Sequence, residues 1–385
     1  MYSIADYGAM IADTVRMDAY VRALREAIGP GSVVVDIGTG TGIFALLACR
    51  FGARRVYAID PDDAIEVARE IALANGCADR IEFIQAMSTS VTLPEPANVI
   101  ISDLGDMLPW YRRHIPSIVD ARARFLSQGG VLIPQRDVAW AAVVEAPDLY
   151  AKRTSAWEAN GFGLDMSAAR HVVINSWSHG RVTSENLLTD LARWATLDYS
   201  VVEDSDVHAH LSWTVSRSGT GHGLSLGFDR TVADGICISN APDVPESDRH
   251  VVYGTVFLPW ATPVALAVGD VVNIDLSAKL IRDDYIWNWN TRVVEHSPSE
   301  VEKASFTQST FYGMPLAPAA LEKKSSGYIP SLGEDGRIIR FVLEAIDGQA
   351  SLNDIALRLS AEFPCRFPRR QDALSYVADM SRQYG

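Results

Sequence analysis

Residues 33–42 read VVVDIGTGTG, an apolar run interrupted by Asp36 that opens into glycines at positions 38, 40 and 42. Such a loop lets the backbone approach a ligand closely. The dinucleotide fingerprint G-x-G-x-x-G needs a third glycine so that helix and strand pack tightly; counted from Gly38 and Gly40, that place is Ile43. No Gly-Lys-Ser/Thr follows, which excludes a phosphate-cradling P-loop. What remains is a strand, a glycine loop without phosphate-binding side chains, a helix from Ile43, and Asp60 at the end of the next apolar run, RVYAID. An acid about twenty residues beyond such a loop is placed to accept hydrogen bonds from ribose hydroxyls. The combination suits a nucleoside without phosphates. A merely tight strand-to-helix turn would account for the glycines but not for Asp60.

S-adenosylmethionine is such a nucleoside. The glycines admit its amino-acid portion, Asp36 can accept from its ammonium or a bridging water, and Asp60 can take the ribose. Transfer of a methyl group from a sulfonium depends on in-line alignment more than on a strong base. An acceptor-side group is expected at the C-terminal end of a parallel strand, where Asp103 sits.

The elements that position these residues follow from hydrophobic periodicity. Short apolar runs at 33–37, 55–60, 81–86 and 98–103 alternate with helix-length segments, which predicts a parallel α/β sheet. After Pro134 the chain turns β-rich, with DVAWAAVVEA, AHLSWTVS, HGLSLGFD, VVYGTVFL and VVNIDLSAKL separated by turn residues, the pattern of an antiparallel sandwich or barrel. The tail is helical again, with Ser351 and Asp354 spaced as a helix N-cap. A formal net charge of −14 argues against nucleic acid or an anionic membrane as a partner. No run approaches a membrane span and no basic-apolar leader opens the chain, so a cytoplasmic location is expected. Four cysteines without a CxxC pair, and His208 and His210 without a third ligand, point to no metal and no disulfide framework. The aromatics of YIWNWN alternate at strand spacing and read as barrel packing.

Beyond the loop the chain resembles the protein arginine methyltransferase family. MIADTVRMDAY (10–20) resembles the family's M-x-x-D-x-x-R-x-x-x-Y segment, VVVDIGTGTGIFALLA its first motif, and DARARFLSQGGVLIPQ its lead into the barrel. NGFGLDMS (160–167) is similar to the dimerisation arm, and VVYGTVF (251–257) to a barrel strand near the active site. The resemblance covers about residues 2–295. It implies an α/β Rossmann-like methyltransferase domain at 1–134, then an antiparallel β-barrel or sandwich at 135–296 with a helical arm at about 151–194. A linker at 297–333 and a small helical, winged-helix-like domain at 334–385 follow. It implies S-adenosylmethionine as cofactor, S-adenosylhomocysteine as product, and a homodimer. By position, the cofactor contacts are Met10, Arg16 (to the cofactor carboxylate), Asp36, Gly38, Thr39, Gly40, Gly42, Asp60, Pro61, Met87, Ser88 and Asp103.

The family grips a guanidinium with two glutamates on one loop. Here that loop is SDLGDMLPWYRRHIP (102–116): the first glutamate falls on Asp103 and the second on Arg112, a cation that would repel the usual substrate. The family's Thr-His-Trp segment also fails to match, with His250 one residue from the histidine's place, a slip that turns a strand side chain to the other face. Asp103, Asp106, Arg112 and His250 are therefore the catalytic candidates. The acceptor is expected to be an amide, imidazole or guanidine on a peptide or protein. Free arginine or another small amino acid, held by Arg112 or Arg113, is one alternative; a catalytically inactive peptide-docking scaffold is another. In the plainest reading both arginines are a solvated helix face. The tail's helix, Asp347-Gly348 turn and capped helix resemble small domains that bind leader peptides, which would favour a peptide substrate.

Overall fold

The computed structural model describes residues 2–159, 162–244, 252–297 and 301–384. It divides into two compact units, residues 1–315 and 316–385.

The first unit opens with α1 (Ile4–Ala12), started by a reciprocal Ser3–Asp6 capping box, and α2 (Thr14–Ala27), capped by Asp13 through the Arg16 amide. The α/β layer follows as β1 (Val33–Ile37), α3 (Ile43–Arg50), β2 (Arg55–Ile59), α4 (Ala64–Ala74), β3 (Ile81–Ile84), β4 (Ala97–Ser102), α5 (His114–Phe125) and β5 (Leu126–Ile133). The strands pair in parallel in the order β3-β2-β1-β4-β5. All five residues of β1 are buried, as a central strand covered on both faces requires. Chain order reverses beside β1, between β2 and β4, and a ligand crevice forms at that switch point beyond the strands' C-terminal ends.

The barrel begins at β6 (Arg136–Val144). An arm of α6 (Pro147–Glu158), α7 (Ser167–Ile174) and β7 (Ser178–Gly180) follows, then β8 (Ala192–Asp198), β9 (Val207–Thr214), β10 (Gly219–Ala233), β11 (Ile236–Ser239), β12 (Thr255–Leu266), β13 (Val271–Ile281), β14 (Asp284–Val294) and β15 (Glu302–Phe306). They form two antiparallel sheets, β7-β12-β10-β6-β8 with β11 on β10, and β15-β14-β13-β9. Inward and outward residues alternate along β14, so Tyr285, Trp287 and Trp289 pack into the core as their spacing predicts. His208 and His210 share the exposed face of β9, where His210 meets Asp275, and no metal-binding cluster occurs among the described residues.

Two expectations change. The stretch 297–333 is not all linker, because Glu302–Phe306 pairs with β14 as an edge strand. The second unit holds α8 (Pro318–Glu322), α9 (Glu334–Ala345), α10 (Leu352–Glu362) and α11 (Arg370–Tyr384) around its own core of Ile338, Val342, Leu359 and Val377. Its described residues contain no wing strand, while the Ser351–Asp354 capping box forms as read. Asn160 and Gly161 of the arm motif lie outside the described residues.

Candidate active site

The ends of three adjacent parallel strands, β2, β1 and β4, open onto a cavity of about 810 Å³. The loop after β1 holds Gly38, Gly40 and Gly42 at φ of +73°, +51° and +84°, conformations that disfavour any side chain. A Cβ on Gly40 would also lie 2.3 Å from the Tyr7 ring, so the loop and the N-terminal helix can close together only around glycine. Asp60 is locked from both sides: Oδ2 accepts from the Gly40 amide at 2.8 Å and Oδ1 from the Asp62 amide at 2.8 Å. It lines the cavity at 6% exposure.

Asp36 does not face the ligand space. Its Oδ2 accepts from Thr39 Oγ1 at 2.6 Å and from the Ala45 amide at 3.1 Å, and it is absent from the cavity wall. Burial pushes its carboxyl up to about 7. Its place is to brace the glycine loop against the start of α3, and the ammonium contact expected of it is withdrawn. Gly40 and Gly42 shape the loop from behind in the same way, while Met10, Arg16, Gly38, Thr39, Pro61, Met87 and Ser88 line the cavity.

Asp103, just past β4, is the most heavily bonded carboxylate in the site. Oδ2 accepts from Arg16 Nη2 at 2.6 Å, from Arg16 Nε at 2.9 Å and from the Tyr253 hydroxyl; Oδ1 accepts from Arg230 Nη1 at 2.6 Å. Burial alone would raise this carboxyl, but the Arg16 and Arg230 guanidiniums overcome that and hold it down at about 2. Arg230 then forks onto Asp137 at 2.8 and 2.9 Å, so a chain of alternating charges runs from the nucleoside crevice into the barrel. Asp103, a catalytic candidate of the sequence, is thus a fixed anion.

The barrel end of the cavity is lined by Asp106, Tyr111, Arg112, His114 and, from the barrel side, His179 and Asp283. Burial raises the Asp106 carboxyl, and the facing His179 and Arg112 work against that rise. Arg112 is exposed at φ +44°, a left-handed conformation that costs a non-glycine residue on the order of 1–2 kcal/mol. His250 lies outside the described residues. Asp13 Oδ2 instead accepts from the Val252 amide, tying α2 to the segment before β12.

Tyr253, Arg230, His114 and His179 were not singled out in the sequence. Arg230 had a signal: Phe228, Arg230 and Val232 fall on one face of β10, and an arginine between two core residues at period two has to find a buried partner. The others have none beyond residue type.

The residues present fit S-adenosylmethionine. The crevice offers a buried, oriented carboxylate for the ribose, a guanidinium for a carboxylate, and an apolar wall of Ile37, Phe44, Ile59 and Leu104. Parallel sheet, switch-point crevice and this set of groups make up a class I S-adenosylmethionine-dependent methyltransferase fold. The family model for ribosomal protein L11 methyltransferase matches residues 16–142, and that for the arginine methyltransferase oligomerization subdomain matches residues 136–291. The chain is thus similar to methyltransferases over its first part and to protein arginine methyltransferases over its second.

Among relatives, a probable protein arginine N-methyltransferase 6 of Arabidopsis thaliana is 30% identical over 57% of this chain and 52% of its own length. Protein arginine N-methyltransferase 6 of Xenopus tropicalis is 29% identical over 60% and 72%. The arginine N(omega)-methyltransferase of Streptomyces achromogenes subsp. streptozoticus is 29% identical over 70% and 74%. The chain thus spans about half the length of the Arabidopsis relative. Two solved structures share the fold: Arabidopsis thaliana protein arginine methyltransferase 10, with TM-score 0.68 and 22% identity over 80% of this chain and 97% of that one. The other is the Trypanosoma brucei PRMT1 enzyme-prozyme complex with AdoHcy, with TM-score 0.69 and 20% identity over 79% and 96%.

Proposed function

We propose that this chain transfers a methyl group to a side-chain nitrogen of a peptide or protein, the acceptor being an amide, imidazole or guanidine, with Asp106 as the carboxylate that meets it. The observation that carries this reading is the commitment of Asp103 to Arg16, Arg230 and Tyr253, which leaves Asp106 as the carboxylate beside His179 at the barrel end. Relatives whose names specify protein arginine support a polypeptide substrate.

Bound S-adenosylmethionine would supply an electrophilic methyl group on a sulfonium. Arg16 would hold the cofactor's carboxylate and Asp60 its ribose hydroxyls. Asp103, ionised and fixed between two guanidiniums, takes up no proton near neutral pH and keeps Arg16 in position. Asp106 orients the acceptor N–H, so that alignment rather than a strong base provides the rate. The Arg112 cation at the second-glutamate position forbids the paired-carboxylate grip on a guanidinium, and any guanidine acceptor is held by Asp106 alone. The arm at 151–194 supports a homodimer, which sedimentation would detect as twice the 42.1 kDa chain mass. Among the described residues no helix is long and apolar enough to cross a membrane.

The test is methylation of a peptide pool by wild type and Asp106→Asn. The reading expects acceptor KM to rise roughly tenfold, the worth of one charge-assisted hydrogen bond, with S-adenosylhomocysteine affinity unchanged. An unchanged KM removes Asp106 from the acceptor site.

A further inference from the structure

His179 stands on β7, the short strand that closes the arm, opposite Val256 of β12. The strand is firmly seated. Gly180 O accepts from Thr255 Oγ1 at 3.1 Å, and a Cβ on Gly180 would lie 2.9 Å from the Leu149 side chain of α6. Residues two apart on an extended segment share a face, and the Trp177 ring lies 5.8 Å from the imidazole. Trp177 and Val256 in turn wall a small void that Asp106 and Tyr111, from the loop after β4, also line. This face of β7 therefore looks onto that loop, and His179 is exposed where it lines the barrel end of the main cavity.

A nitrogen that gains a methyl group has a proton to give up, and alignment alone does not dispose of it. The other groups at this end of the cavity are poorly suited to take it. Arg112 and Arg113 are cations without an acceptor lone pair, and Asp283 faces Arg113 at 3.6 Å. Burial raises the Tyr2 and Tyr111 phenols, so both stay protonated. His114 is buried, and burial and the Arg230 guanidinium hold it down to about 4, so it stays neutral near pH 7. Among the described residues of this wall, that leaves Asp106 and the imidazole it faces, His179. Imidazole chemistry suits proton transfer near neutral pH, and a carboxylate beside it stabilises the imidazolium that forms.

We propose that His179 is the catalytic base of the transfer. The acceptor nitrogen bonds to the methyl carbon, the sulfonium sulfur keeps the electron pair of the breaking C–S bond, and the N–H proton passes to the imidazole. The exposed side of His179 then releases that proton to water. Asp106 orients the N–H and, ionised, stabilises the imidazolium. The base thus comes from the arm strand, and the loop after β4 supplies only the carboxylate. The proposal rests on the methyltransferase reading given above.

The experiment follows label from methyl-labelled S-adenosylmethionine into peptides bearing glutamine, histidine and arginine, using full-length wild type, His179→Ala and His179→Gln. Both variants should lose roughly 100-fold in kcat, with acceptor KM and S-adenosylhomocysteine affinity close to wild type. Gln keeps a polar side chain of similar reach but carries no proton away, so it should be as slow as Ala. Added imidazoles should restore labelling of the peptide by His179→Ala, the more basic ones faster at equal concentrations of free base, and leave the wild type unchanged. A kcat near wild type in either variant, a loss confined to KM, or a rescue that is absent or indifferent to basicity would overturn the role. No label on any peptide from the wild type would sink the underlying reading, whereas transfer that survives His179→Gln sinks only the role of His179.

Discussion

Asp103 Oδ1 lies 2.6 Å from Nη1 of Arg230, a residue 127 positions later in the chain and fully buried. The pair joins the end of β4 to β10 and, through Arg16, fixes the wall of the nucleoside crevice to the barrel. Replacing Asp103 by Asn leaves two guanidiniums facing a neutral amide in a dry site, and breaking such a pair costs about 3–5 kcal/mol. Asp103→Asn should unfold at correspondingly lower denaturant.

The same carboxylate sets an acid transition. Its folded pKa of about 2 is below its ordinary value of 3.8, so the stability it contributes is complete above the unfolded value and is lost as pH falls through the folded one. Denaturant midpoints of wild type should fall between about pH 4 and pH 2, and those of Asp103→Asn should fall less over that window. Parallel curves would mean that Asp103 is not held ionised.

Asp36 should behave in the opposite sense. Its folded pKa of about 7 exceeds the ordinary value of 3.8, so the contribution present at low pH is lost as pH rises through the folded value. Asp36→Asn keeps an oxygen for Thr39 and the Ala45 amide and has no charge to bury. The variant should gain stability relative to wild type as pH rises from about 4 to 7, read from denaturant midpoints. A constant difference across that range would place the ionisation elsewhere.

Asp60→Ala should weaken S-adenosylhomocysteine binding by roughly 10–100-fold in calorimetry, the loss expected for hydrogen bonds to a charged group. Unchanged affinity would show that the crevice beside the glycine loop is misassigned.

Residues 316–385 form a compact unit with a core of their own. Removing them should leave S-adenosylhomocysteine affinity unchanged and raise the KM of a peptide acceptor. A KM that does not change would reduce the tail to a bystander of catalysis.

Much of the scaffold was legible because each signal was local. The apolar runs at 33–37, 55–60, 81–86 and 98–103 overlap β1 to β4, the glycines mark the turn after β1, and Ser351–Asp354 forms the cap its spacing implies. The edge strand Glu302–Phe306 was not legible, since its ladder is supplied by β14 and its own residues read as polar loop. Within the site, residue type located the carboxylates but not their partners. Whether Asp36 turns to the ligand or to Thr39 is a choice of rotamer, and the partner that neutralises Asp103 comes from a strand distant in sequence.

The most direct measurement is mass spectrometry of a pooled reaction containing methyl-labelled S-adenosylmethionine, free arginine, and peptides bearing glutamine, histidine and arginine. The account predicts label on a side-chain nitrogen of a peptide. Label on free arginine alone, or no label while S-adenosylhomocysteine binds, would contradict it.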